Sequence, residues 1–143
     1  MDPQLPLVGT WRLVTMETRS VAGRVWPGLY DDGYLLYTAD GYMTAVLTKG
    51  SRARFGSDSL GDGTTEEKVR AFDSYWSYGG SYAVDGEIVT HRVRFCQFPN
   101  WVGTTQVRRY ALSHESDTLT LWNVNALMIQ GEEAYACLTW RRP

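Results

Sequence analysis

Eight short runs rich in β-branched and aromatic residues, separated by Gly, Pro, Asn or Asp, occupy most of this chain: 8–19, 34–39, 42–49, 81–84, 87–95, 104–112, 118–123 and 133–141. Strands this short and this evenly punctuated build a sandwich or a barrel. Eight is the number at which a closed barrel just holds packed side chains or one small ligand. The expected fold class is therefore all-β, a closed eight-stranded antiparallel barrel. The length of 143 residues suits one domain, 1–143, with one core.

One helical pattern interrupts the strands. Thr64 is a good N-cap, and Glu67 three residues later completes a capping box. Val69, Phe72 and Trp76 then share a helical face with Tyr75 beside them, and Gly79-Gly80 ends the segment. A single short helix in a small β protein is expected near a barrel end.

Two Asp-Gly pairs mark hairpins. A two-residue turn at Asp40-Gly41 pairs Thr38 with Met43, Leu36 with Ala45 and Tyr34 with Leu47. That face is the expected lumen face; the alternative is the face of Leu35, Tyr37, Ala39, Tyr42, Thr44 and Val46. A turn at Asp85-Gly86 pairs Tyr82 with Val89 and Gly80 with His91. It places Tyr82, Val89, His91, Val93 and Phe95 on one inward face. Further along, Gln106, Arg108, Tyr110 and Leu112 face inward, as do Leu119 and Leu121, with Asn123 continuing that row.

Composition removes several function classes. The net charge of −2 supplies no basic field for nucleic acid or an anionic membrane. No segment approaches transmembrane length, and 1–8 has neither a basic start nor a long apolar run, so the expected location is cytoplasmic. Cys96 and Cys137 are expected as reduced, buried thiols. No Gly-rich phosphate loop joins a strand to a helix, and no G-x-S-x-G elbow occurs. With His91, His114 and two distant cysteines, no metal-binding spacing arises; neither metal nor cofactor is expected. His114 belongs to a polar turn. Six Trp, nine Tyr and four Phe make 13% of the chain aromatic, enough to fill a small core or to line a cavity for a flat ligand.

Four segments add a resemblance. They are Leu7-Val8-Gly9-Thr10-Trp11-Arg12-Leu13-Val14, Tyr37-Thr38-Ala39-Asp40-Gly41-Tyr42-Met43, Phe98-Pro99-Asn100-Trp101-Val102-Gly103-Thr104 and Leu138-Thr139-Trp140-Arg141-Arg142. Together they resemble the lipocalin-like domain family of small bacterial and fungal calycin-type barrels. The resemblance spans nearly the whole chain and implies a compact barrel with a central pocket. It also implies a plug at one end, in which Arg141 or Arg142 stacks on the Trp11 indole. Some similar barrels act in natural-product pathways as cofactor-free cyclases or isomerases.

Within such a lumen His91, Arg108 and Tyr82 are the candidate catalytic residues. Imidazole serves as acid or base near neutrality, Tyr82 or Tyr110 can donate to a carbonyl, and Arg108 can stabilise an oxyanion. The competing structural roles are a His91 hydrogen-bonded to neighbouring tyrosines and an Arg108 paired with Glu17. The candidate ligand-lining residues are Tyr34, Leu36, Trp76, Met43, Val89, Val93, Phe95, Gln106, Tyr110, Leu121 and Asn123. The expected function is small-molecule binding in an aromatic-lined pocket, in its enzymatic form a cyclase or isomerase of polyketide or terpenoid type. The alternatives are a non-catalytic carrier or sensor, and an interaction module whose barrel is filled by its own aromatics. The expected partner is a small hydrophobic or aromatic molecule, bound by a monomer or homodimer.

Overall fold

The computed structural model describes residues 5–143. Residues 1–4, part of the N-terminal stretch inspected above for a leader, lie outside the described residues. Ten strands follow one another: β1 (Gly9–Ser20), β2 (Val25–Pro27), β3 (Asp32–Tyr37), β4 (Tyr42–Thr48), β5 (Tyr75–Asp85), β6 (Ile88–Cys96), β7 (Thr105–Leu112), β8 (Thr118–Asn123), β9 (Leu127–Ile129) and β10 (Glu132–Arg141). One helix, α1 (Thr65–Asp73), and 3-10 turns at Leu5–Leu7 and Pro99–Trp101 complete the described elements.

The ten strands make eight walls. The hydrogen-bonded order is β2-β1-β3-β4-β5-β6-β7-β8-β10-β9, with β1 also paired to β10, which closes the barrel. Arg12 to Gly9 of β1 pair with β3, whereas Glu17 to Arg19 pair with β2. β2 and β3 thus serve as one interrupted strand along the same edge of β1. β8 and β9 flank β10 in the same way. Every pairing is antiparallel, so the eight-stranded antiparallel barrel expected from the sequence is the observed fold.

Register decides what enters the lumen. In the β3–β4 hairpin Tyr37 faces Met43 and Leu35 faces Ala45. The loop is one residue longer than a two-residue turn: Thr38 N–H donates to Tyr42 O at 2.8 Å, and Gly41 takes φ +95°. This is the three-residue loop that ends in a left-handed glycine. The one-residue slip reverses the β3 face. Leu35 and Tyr37 are buried with Met43, Ala45 and Leu47, while Tyr34 is 46% exposed and Leu36 points away from the lumen. Tyr34 and Leu36 are therefore corrected from the lumen to the outer face.

In the β5–β6 hairpin the turn residues are Gly86 and Glu87, and Tyr82 faces His91. This differs from the expected pairing by two residues, which preserves the face. A bulge between Gly79 and Gly80 then sets Phe95 opposite Gly79 and Val93 opposite Gly80. The extra residue reverses the alternation beyond Val93. Phe95 is consequently 67% exposed, a second correction.

The helix is shorter than its apolar pattern suggests. The capping box forms as expected: Thr64 Oγ1 accepts from Glu67 N at 3.1 Å and Glu67 Oε1 accepts from Thr64 N at 2.9 Å. No α1 residue is buried, however, and the helix stops at Asp73. Tyr75 and Trp76 instead pair with Thr48 and Leu47, so Trp76 belongs to β5. Alternate aromatic residues satisfy a strand as well as a helical face, and the ladder to β4 decides between them. Cys96 is half-buried and Cys137 exposed, both as free thiols, so Cys137 is corrected from the interior to the outer face.

Antiparallel connectivity sorts the loops by end. The 38–42, 86–87 and 113–117 turns share the end where β1 begins and β10 finishes. Here the Arg142 guanidinium lies 3.8 Å from the Trp11 ring centroid and donates to Val8 O at 2.8 Å and Pro6 O at 3.1 Å. Trp11 Nε1–H donates to Leu7 O at 2.9 Å. Gly9, at φ +128°, lies so close to Arg142 Nη1 that a Cβ would displace it. The stacking arginine is therefore Arg142; Arg141 is exposed. The opposite end gathers α1, the 97–104 connection and β2. No helix among the described residues is long and apolar enough to cross a membrane.

Candidate functional site

The lumen is built around one buried histidine. His91 is 1% exposed. Tyr37 Oη lies 2.7 Å from its Nε2 and Tyr78 Oη 2.8 Å from its Nδ1. Tyr37 reaches it from β3, three strand steps round the wall by way of β4 and β5, and Tyr78 comes from β5 next door. Burial, reinforced by the nearby Arg108 charge, lowers the His91 pKa to about 3. The imidazole is thus neutral at pH 7, with one nitrogen donating and the other accepting. Burial raises both tyrosines above their ordinary pKa, so both keep their protons. Arg108 faces the Tyr78 hydroxyl as a charged donor. That favours Tyr78 giving its own proton to Nδ1, with the ring proton on Nε2 directed at Tyr37.

Tyr82 faces His91 across the β5–β6 ladder. Its hydroxyl donates to Thr38 O at 2.7 Å, and its ring packs on Tyr37 at a 4.7 Å centroid separation in a T-shaped contact. The residues that engage His91, Tyr37 and Tyr78, were absent from the sequence candidates. The i, i+2 series Trp76, Tyr78, Gly80, Tyr82 was the signal for Tyr78, masked by the helical pattern. Tyr37 was hidden by the hairpin register.

Arg108 is half-buried on β7. Its guanidinium stands 5.9 Å from the Trp101 ring centroid and donates to Val107 O at 3.2 Å. Among the described residues it has no carboxylate partner. Glu17 pairs with Arg19 at 3.4 Å on the outer face, beside a groove of about 410 Å³ lined also by Trp122, Tyr135 and Cys137. The expected Glu17–Arg108 pair is therefore corrected.

Towards the barrel end away from Trp11, aromatic rings pack on one another beside Arg108. Trp101 meets Trp76 at 5.0 Å and Tyr78 at 5.4 Å, both edge-on, and Phe98 lies 6.5 Å from Trp76. Such rings present flat, weakly polar faces with few rotatable bonds. The remaining candidates divide. Met43, Val89, Val93 and Leu121 are buried lumen residues. Gln106 is buried and donates to Thr104 Oγ1 at 3.0 Å, and Asn123 is buried with its amide committed to Ala136 N, Ala134 O and Asn125 O. Tyr110 packs on the core edge and donates to Gly86 O at 2.8 Å, near the plugged end.

The lipocalin-like domain model matches residues 8–143. The chain belongs to the lipocalin-like domain family. It is 34% identical over 105 residues to a 4'-hydroxy-3'-methoxypropiophenone carrier protein of Aspergillus oryzae, an alignment that covers 68% of this chain and 92% of that one. Among solved structures it is similar to a lipocalin-like protein of Bacteroides uniformis, with 14% identity, a TM-score of 0.49 and coverage of 96% and 99% of the two chains. A protein of Bacteroides eggerthii is similar at 12% identity and a TM-score of 0.49, with coverage of 95% and 99%. As a lipocalin-like barrel, the chain has a fold suited to binding small hydrophobic molecules.

Proposed function

We propose that this lipocalin-like protein is a carrier of a small, flat aromatic ketone or phenol. The observation behind this reading is Arg108. A guanidinium held among aromatic rings, without a carboxylate among the described residues, suits an oxygen anion or a polarised carbonyl brought by a ligand. The carrier of 4'-hydroxy-3'-methoxypropiophenone from Aspergillus oryzae supplies a ligand of the right chemistry: one aromatic ring, one phenol and one ketone. The phenol is conjugated with the carbonyl, which spreads its negative charge and matches a cation beside a ring face.

The enzymatic reading, a cofactor-free cyclase or isomerase, would use the same lumen with His91 moving a proton and Arg108 holding an enolate. His91 favours the carrier. Both its nitrogens are engaged by tyrosines, and a pKa lowered to about 3 makes it a weak base at neutral pH.

The test is titration of the protein with 4'-hydroxy-3'-methoxypropiophenone, followed by tryptophan fluorescence, with mass analysis of the recovered compound. Saturable quenching and unchanged ligand are expected. Arg108→Leu should weaken binding by about ten-fold or more, the loss of a charge-assisted bond, while the barrel stays folded by circular dichroism. Conversion of the ligand at a rate abolished by His91→Leu would replace the carrier reading with the enzymatic one.

A further inference from the structure

Four buried side-chain polar atoms have no hydrogen-bond partner among the described residues: Thr18 Oγ1, Trp26 Nε1, Gln97 Oε1 and Trp140 Nε1. Two of these belong together. Thr18 of β1 and Trp26 of β2 oppose each other directly across their ladder. Opposed residues of antiparallel strands project to the same face, with Cβ atoms about 5 Å apart. For Thr18 that face is the lumen. A bulge between Leu13 and Thr15 resets the β1 alternation, after which Thr18 and Ser20 are buried at 0% and 4% exposure. Val and Phe would fill the same space without leaving polar atoms unsatisfied, so packing alone gives no reason for a hydroxyl and an indole N–H here.

The pair shares a tier with Arg108. Thr18 opposes Ala136, whose N–H donates to Asn123 Oδ1 at 2.7 Å, and Asn123 opposes Arg108. Trp26, Thr18, Ala136, Asn123 and Arg108 therefore form one row around the wall. Ala136 has no polar side-chain atom, and the Asn123 amide is committed to backbone groups. The polar ends of the row are Arg108 on one side and Thr18–Trp26 on the other. They stand three strand steps apart, about 14 Å along the curved wall at ~4.8 Å per step. At the rim, Arg24 lies 4.6 Å from the Trp26 ring centroid and pairs with Glu132 at 3.0 Å.

We propose that the Thr18 hydroxyl and the Trp26 indole N–H form a second ligand anchor, both donating to one carbonyl oxygen while Arg108 takes the phenolic oxygen at the other end. An indole N–H only donates, a hydroxyl donates freely, and a carbonyl oxygen accepts two bonds. The inference rests on the carrier reading above. Because both donors are sealed from solvent, the ligand displaces side chains to reach them. β2 is the wall segment suited to yield, since three residues of ladder tie it to β1.

The experiment compares two probes on the full chain by calorimetry: 4'-hydroxy-3'-methoxypropiophenone and 2-methoxy-4-propylphenol, which keeps the phenol and methoxy groups but lacks the carbonyl. The native protein should prefer the ketone. Thr18→Val and Trp26→Phe should each lower ketone affinity by about five-fold or more and leave propylphenol affinity unchanged. If the native protein binds both probes equally, or if both variants keep the preference, the anchor is refuted and the carrier reading stands. If the native protein binds neither probe, the carrier reading falls and takes the anchor with it.

Discussion

His91 shows how one side chain ties stability to acidity. In the unfolded chain its imidazole titrates near 6.5, whereas in the barrel the value is lowered to about 3. Between those values the unfolded state binds the extra proton, so stability rises with pH and is lost as pH falls from 6.5 towards 3. Each pH unit in that window removes about 1.4 kcal/mol from this group alone. Urea unfolding at pH 4, 5, 6 and 7 should show that slope in the native protein. His91→Leu should be less stable at pH 7, because Tyr37 and Tyr78 lose their partner, yet its curve should lack this contribution. An equal slope in both proteins would place the titrating group elsewhere. His91 was legible in the sequence because the β5–β6 register error was two residues, which keeps every side chain on its face. Tyr34 and Leu36 were misplaced because the β3–β4 error was one residue. Asp-Gly marks a turn without stating whether two or three residues span it.

Among the elements, α1 is held by its ends rather than by a packed face. Thr64 and Glu67 satisfy the first turn, and Glu67 Oε2 also accepts from Gly56 N at 2.8 Å. At the other end Arg52 donates to Ala71 O at 3.0 Å and Gln97 to Phe72 O at 2.7 Å. Thr64→Ala should therefore cost about 1 kcal/mol of helix stability. With no helical residue buried, that loss should appear as faster amide exchange over 65–73, with little change in the melting temperature of the barrel. A large drop in melting temperature would mean that the helix supports the core. The capping box was readable as a local pattern. The strand that begins at Tyr75 was not, because its reason lies in β4, some 27 residues earlier at Thr48. The bulge that turns Phe95 outward lies opposite Gly79-Gly80, a glycine pair that the helical reading took as a helix stop.

At the scale of the whole molecule, the contact that fastens the barrel joins its two chain ends. Gly9→Ala forces a side chain into a left-handed conformation and against Arg142. The substitution should cost on the order of 2 kcal/mol in urea unfolding, and Arg142→Ala should produce a similar loss. Their effects should fall short of additive in the double variant, since both break one assembly. Full additivity would show that Gly9 serves its own backbone alone. This closure was legible through the family resemblance as a stack of Arg141 or Arg142 on Trp11, and the Arg142 guanidinium at 3.8 Å from the Trp11 ring centroid decides between them. It also sets a schedule. β1 finds β3 early, but its other edge waits for β10, whose partner residues lie more than a hundred positions downstream. During synthesis an unclosed sheet must therefore travel with raw edges until β10 has left the ribosome. Completion is then a late, long-range step of the kind that makes β topologies fold slowly and draws chaperones to them.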